Sequence, residues 1–408
     1  MLQLDPDARR VAGSLVVRFR PDAPIDRLVF RLWPNAPRPG GAGARLEVSD
    51  PSVDGRPAIG SYEAAGAAAG TAGTVYSVAL PGPVAPGVEV SARVGFTLAM
   101  PGVVNDRVSQ SAASMRLGSV LPTLSWVRGE GWTTSPAVNA FAEAAVSEVA
   151  DYDVTVTAPE GWSVLATGEE REPGRFVASG VRDWAATAGR MRTASTTAEG
   201  SRIVVVAGVS EGSGDDPAVV AQRAAVALDA LASRFGSYPY GRLSIGVTPG
   251  LSGGIEFPQH IHLGSRVPSV HLVHEVAHQW FYGMVGNDQF RHPWLDEGLA
   301  AYAEGRVSGR LASQRRRSLP AAGRGKLGES MAYWEGRGRV YFTSVYVGGL
   351  QALGAYADEV GGYEALDCAL RRFTRDHTYR VARPEDLFGA MEAQTGIDPR
   401  PVFARFGA

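Results

Sequence analysis

Val270-His-Leu-Val-His274-Glu275-Val-Ala-His278-Gln-Trp-Phe281 is the stretch on which the reading of this chain turns. Val273, Ala277, Trp280, Phe281 and Met284 recur at helical spacing, so the segment reads as a helix entered after Pro268-Ser269. On such a helix, residues four apart lie one turn apart on the same face. His274 and His278 can therefore converge on one ion, and a His-x-x-x-His pair of this kind suits zinc. Glu275 follows the first histidine directly. It is rotated about 100° from it, given 3.6 residues per turn, and so misses the ion. A water held by that ion stays within its reach, which is the placement of a general base.

Eighteen residues separate His278 from Glu297 in Trp294-Leu-Asp-Glu-Gly-Leu-Ala-Ala-Tyr-Ala-Glu304. Pro293 is a suitable start for a second helix, which can bring Glu297 back beside the first. Two histidines and one glutamate leave a fourth position open. That is the pattern of a catalytic zinc site, where a structural site would be closed by four protein ligands.

Upstream the chain changes character. Leu15–Arg20, Arg27–Trp33, Val75–Leu80, Val88–Val94 and Tyr152–Thr157 are short, rich in β-branched residues and bounded by Pro, Gly or Asp. Strands at this spacing, without helical periods between them, predict a β-sandwich or an open curved sheet. Ala64–Gly73 reads as a flexible loop. Ile203–Ala207 reads as the last strand of this region, and Ser210-Glu-Gly-Ser-Gly-Asp-Asp216 as the linker. Beyond it, Asp216 can cap a helix that has Pro217 at its first position, an apolar face from Val220 to Phe235, and Gly236 as its stop. Helical patterns then dominate, interrupted by strands near Leu243–Val247 and Ile255–Leu263. The expected division is residues 1–209 and 210–408.

Bulk properties exclude several classes. The 408 residues carry 40 Lys plus Arg against 42 Asp plus Glu, so no strong field favours nucleic acid or an acidic membrane. The single cysteine, Cys368, rules out an internal disulfide and a cysteine-based zinc cluster. No run of 18 apolar residues is present, so no membrane-spanning helix is expected. The first ten residues lack the basic-then-apolar pattern of a secretory signal. A cytoplasmic protein is expected from that start, and an exported or cell-envelope one if the start has been trimmed.

Three further segments carry a family resemblance. Together with His274–Phe281 and Trp294–Gly298, they make the chain resemble the gluzincin aminopeptidases, the group of alanyl aminopeptidases and leukotriene hydrolase. The first is Ser147–Val156, a landmark of the family's first domain. The second, Gly253-Gly254-Ile255-Glu256-Phe257, resembles the family's exopeptidase strand. The resemblance implies that Glu256 pairs with the free α-amino group of a substrate, with Gly253 and Gly254 lining that site. Ile255 and Phe257 stand where the family has Met and Asn, and Phe257 removes an amide. The third, Tyr341-Phe-Thr-Ser-Val-Tyr346-Val-Gly-Gly349, resembles the family's Tyr-x-x-Gly segment. By the Gly349 spacing, Tyr346 is preferred over Tyr341 as the stabiliser of the oxyanion. Glu304, seven residues after Glu297, is a candidate to accept the outer N–H of a zinc-bound histidine.

The resemblance implies an N-terminal β-sandwich or saddle domain followed by a thermolysin-like α/β metallopeptidase domain. It also implies one Zn2+ per chain and hydrolysis of the N-terminal peptide bond of peptides with a free amino end. The family's glutamine-centred substrate segment is not recognisable between Gln110 and Glu148. The long C-terminal helical domain of larger members has no counterpart before Ala408. The alternatives are another zinc hydrolase on the same site (an endopeptidase, an epoxide hydrolase or a dedicated biosynthetic enzyme) and a non-catalytic zinc-bearing scaffold. His260, His262, His271, His292 and His377 carry no motif and are expected as surface or hydrogen-bonded core histidines.

Overall fold

Val90–Ala99 alternates buried and exposed side chains almost without interruption, the pattern of a strand with one face on a core. It pairs antiparallel with Arg10–Phe19 on one side and with Arg45–Val53 on the other, third from one edge of an eight-stranded sheet. The computed structural model describes residues 1–140, 146–200 and 202–408. Two four-stranded sheets, one built on Ile25–Arg31 and Val75–Val84 and the other on Ser114–Leu117 and Ala186–Gly189, and a two-stranded ribbon of Trp126–Val127 with Gly131–Trp132 complete the first half. Leu28, Phe30, Val78, Phe96, Leu98 and Trp184 fill one continuous core among these sheets. The expected β region is therefore present, with each strand chosen by alternation lying within an observed one or overlapping it. Ala64–Gly73 has no strand or helix, but it is pinned as well as looped. Asn35 donates to the Gly73 carbonyl and accepts from the Ala68 amide.

The second half is layered. Its five-stranded sheet runs in the order Met191–Ala198, Ile203–Ser210, Arg242–Thr248, His260–Gly264, Gly254–Ile255. Ile203–Ser210, which the sequence assigns to the first region, pairs in parallel with Arg242–Thr248. Its inward residues Ile203, Val205, Ala207 and Val209 are buried in the core of the second half. A division at 209/210 would cut this strand, and we propose the boundary near Arg190 instead. Alternation identifies a strand but carries no information about its partner, which is why the sequence misplaces it.

The helix Pro217–Phe235 packs on this sheet, and the Asp216 carboxylate accepts from the Ala218 amide at its N-terminus. Gly236 follows with a φ of 102°, a conformation open to glycine. The histidine helix spans Ser269–Ala277, shorter than the apolar stripe through Met284 suggests. Beyond His278 the backbone widens, with Gly283, Met284 and Val285 amides bonded five residues back, and Tyr282 at a φ of 142°. Trp280, Phe281 and Met284 are buried from this turn rather than from a helix face. Among the described residues no helix is long and apolar enough to cross a membrane.

Candidate metal centre and active site

His274 and His278 occupy the last turn of the short helix, the second as its C-terminal cap. Their rings meet edge to face with centroids 4.7 Å apart. The two Nε2 atoms are 3.1 Å apart. Glu297 Oε2 lies 3.1 Å from the first and 3.3 Å from the second. Two ligand atoms bound to one zinc at 2.0–2.1 Å and at the tetrahedral angle would be about 3.4 Å apart. The observed triangle thus has nearly the edges that one ion requires, from one carboxylate and two imidazoles that are mostly buried. Glu256, Glu275, Asp296 and Glu297 are all buried around it. So many carboxylates in one dry site need cations.

Glu297 reaches this position through two glycines. It sits in the first turn of the helix Trp294–Ser308, which crosses the helix Gly348–Glu359 where Gly298 faces Gly349. A Cβ on Gly349 would stand 2.6 Å from the Gly298 Cα, and one on Gly298 would stand 3.0 Å from the Gly349 Cα. Only paired glycines permit this approach. Just before the crossing, Phe342–Val347 forms a π-helical turn, a feature that re-aims side chains. It carries Tyr346, whose hydroxyl donates to Glu297 Oε1 at 2.5 Å and whose ring stacks on His274 at 5.4 Å and 12°. Burial and the Glu297 charge hold the Tyr346 hydroxyl far above its ordinary range, so it stays protonated. Tyr341 is fully buried against Trp334 and Tyr346 and does not line the cleft.

Glu275 backs onto the edge strand. A Cβ on Gly254 would fall 2.3 Å from the Glu275 Cγ, so this glycine is required for the glutamate to sit where it does. At Gly253 a Cβ would meet only His271 Nδ1, at an ordinary 3.7 Å. Glu256, Glu275 and His278 present their polar atoms within 4.8 Å of one another. Burial pushes Glu256 up to about 7, opposed by His278 and reinforced by Asp296 and Glu297.

Residues 264–406 match the model of the peptidase family M1 domain. This span of the chain is similar to a peptidase family M1 domain. Leucine aminopeptidase 2 of Candida albicans is 31% identical over 88 residues, 20% of this chain and 14% of that protein. Leukotriene A-4 hydrolase of Xenopus laevis is 30% identical over 96 residues, 22% of this chain and 16% of that protein. The matched stretch therefore spans about a seventh of the length of these curated relatives. Over the whole chain the fold is similar to an M1 zinc metallopeptidase from Deinococcus radiodurans, with a TM-score of 0.72 at 18% identity, covering 100% of this chain and 92% of that one. The kinship expected from the motifs and the β-then-α/β layout are both borne out.

Around the His274–His278–Glu297 triangle, one supporting residue differs from expectation. Asp296 Oδ1 lies 2.6 Å from His278 Nδ1, which is also 3.1 Å from the Phe281 carbonyl. Gln289 holds the other carboxylate oxygen at 2.6 Å. With Nδ1 so engaged, Nε2 is the nitrogen left for a metal. The sequence offered a signal for Asp296, since it adjoins Glu297 on the same first turn, but its carboxylate reads equally well as a helix-start charge. Glu304, the sequence's candidate for this task, lines the cleft, and its hydrogen-bond partner is the Ser308 hydroxyl at 3.4 Å. Phe257 turns away from the cleft and packs with Ile255, Leu251 and Ala185, its ring against Gly118. Phe257 is therefore not part of the cleft lining. His260 bonds Ser244 and Thr187 in the core, and His262 bonds the Ala186 carbonyl. His271 is at the cleft wall, while His292 and His377 lie outside it.

The cleft holds about 500 Å3. The β half contributes Arg38 and Asn105 to it, and Asn105 exchanges hydrogen bonds with Ser252 beside the edge strand. Nothing in the spacing of either residue signals that role.

Proposed function

We propose that the chain is a zinc-dependent aminopeptidase that removes the first residue of peptides with a free amino end. The observation that carries this reading is the His274–His278–Glu297 triangle with Glu275 and Glu256 buried beside it in one cleft. His274, His278 and Glu297 are the residues that would hold zinc. When bound, zinc supplies a Lewis acid that polarises a carbonyl and acidifies water.

The rest follows from the chain's own groups. Glu275 accepts a proton from the attacking water and delivers it to the leaving amine nitrogen. The water oxygen bonds to the carbonyl carbon as the C–N bond breaks. Tyr346, protonated and one bond away on Glu297, donates to the negative charge that develops on the carbonyl oxygen. Glu256 receives the substrate ammonium. A buried carboxylate and an ammonium make a charge-assisted contact that an internal peptide bond cannot match, and this sets the cut one residue from the amino end.

The test is hydrolysis of aminoacyl-anilides and of matched free and N-acetylated peptides by zinc-loaded protein. Free amines should be cleaved and acetylated peptides left intact. Glu275→Gln should lose activity by a factor on the order of 10² to 10⁴ while retaining one zinc. Cleavage of acetylated peptides at equal rate would replace this reading with an endopeptidase.

A further inference from the structure

From Gly305 to Gly328 the chain has seven basic residues and no Asp or Glu. This segment leaves the end of the Glu297 helix and returns along the mouth of the cleft. Four of its six arginines fall into two groups. Arg306 pairs with Asp367 and Glu364, and Arg315 pairs with Asp358, both away from the cleft. Arg310 and Arg317 line the cleft, and both are exposed. Among the described residues neither makes an ion pair, and Arg317 touches only the neutral Gln314 amide oxygen, at 3.4 Å. Arg306 and Arg315 are thus held in ion pairs, whereas Arg310, whose charge is felt by Glu304 across the cleft wall, and Arg317 form none. The floor of the same cleft carries the opposite sign, in Glu256, Glu275 and Glu297.

We infer that Arg310 and Arg317 bind the free α-carboxylate of short peptide substrates, so that the enzyme selects peptides only a few residues long. This rests on the aminopeptidase reading above. A short peptide is a zwitterion, and a cleft negative within and positive at its mouth admits it amine first. Guanidinium groups suit the other end because their paired N–H donors match a carboxylate. Each extended residue spans about 3.3–3.6 Å, so only one or two chain lengths can put both ends in place together. Anchoring of this kind acts in the bound substrate and the transition state alike, so it lowers KM with little change in kcat.

The experiment compares peptides of two to six residues as free acids and as C-terminal amides, with one amidated series carrying an internal Asp. Native protein should show a KM for the best free acid on the order of three- to tenfold below that of its amide, the range expected of exposed ion pairs. The advantage should peak at one length and shrink as salt is raised. In R310A/R317A the acid-to-amide ratio should fall to about one, and R310K/R317K should restore part of it. Equal KM for acid and amide in native protein, or a ratio untouched by R310A/R317A, overturns the inference while leaving the aminopeptidase standing. Preference for the internal Asp amides over the free acids also overturns it, in favour of an acidic side-chain site. If no peptide is cleaved, the aminopeptidase reading fails. Binding of the same acid and amide pairs to zinc-loaded Glu275→Gln, followed by calorimetry, then still decides the carboxylate site.

Discussion

Asp296 illustrates how one carboxylate can govern a metal without touching it. Its contact with His278 Nδ1 fixes which ring nitrogen faces Glu297, and Gln289 fixes Asp296 in turn. Asp296→Asn keeps the shape and removes the charge. Zinc affinity should fall by about 10- to 100-fold, read by competition with a chelator, while the fold persists. Tyr346 is the second residue with a single legible task. Its hydroxyl lies on Glu297 Oε1, and its high proton affinity keeps it a donor across the working pH range. Tyr346→Phe should lower kcat by about 10²- to 10³-fold with little change in KM, as for the loss of one oxyanion donor. A KM effect of equal size would instead mean that Tyr346 acts in substrate binding.

At the scale of elements, the crossing of two helices at Gly298 and Gly349 decides whether the site assembles. It places the Tyr346 turn against the Glu297 turn with backbone almost touching backbone. Gly349→Ala forces the helices apart, because the new methyl meets main chain and not a side chain that could swing away. Overpacking of this kind costs about 1–3 kcal/mol, to be measured by denaturant unfolding. Activity should fall further than stability, since the displacement separates Tyr346 from Glu297. The edge strand has a similar logic at Gly254, where Glu275 occupies the space a side chain would need. The two glycines were visible as Glu-Gly and Tyr-x-x-Gly patterns, yet their partnership was not, because 50 residues lie between Gly298 and Gly349.

Across the whole molecule, the core of the second half has a built-in sensitivity to acid. His260 is fully buried between Ser244 and Thr187, and burial together with Arg242 pushes its pKa down to about 3. The unfolded chain takes up a proton near 6.5, whereas the folded chain does not until about 3. Stability from this group is complete above the unfolded value and is lost as pH falls from about 6.5 toward 3. His260→Gln, which can keep a hydrogen bond without titrating, should flatten the fall of stability in that window, as followed by thermal unfolding at a series of pH values. An unchanged slope would assign the acid limb to other groups. The joining of the halves belongs to this scale as well. Asn105 from the β half locks onto Ser252 beside the Gly254–Ile255 edge strand, so the β half contributes to the cleft wall.

Local order decided much of this protein in advance. The spacing of four between His274 and His278, the glutamate between them and the capped helix from Pro217 to Phe235 follow from helical period and end chemistry, which act over a turn or two. The alternation of Val90–Ala99 follows from the pleat in the same way. Distances of tens of residues were beyond such rules. The return of Glu297 to within 3.1–3.3 Å of both imidazoles depends on the Gly298–Gly349 crossing. The choice of Asp296 over Glu304 beside His278, the move of Ile203–Ser210 into the second sheet, and the facing of Arg310 and Arg317 into the cleft depend on which surfaces pack together. Periodicity tells a segment which face to bury, and only the packed chain tells it against what.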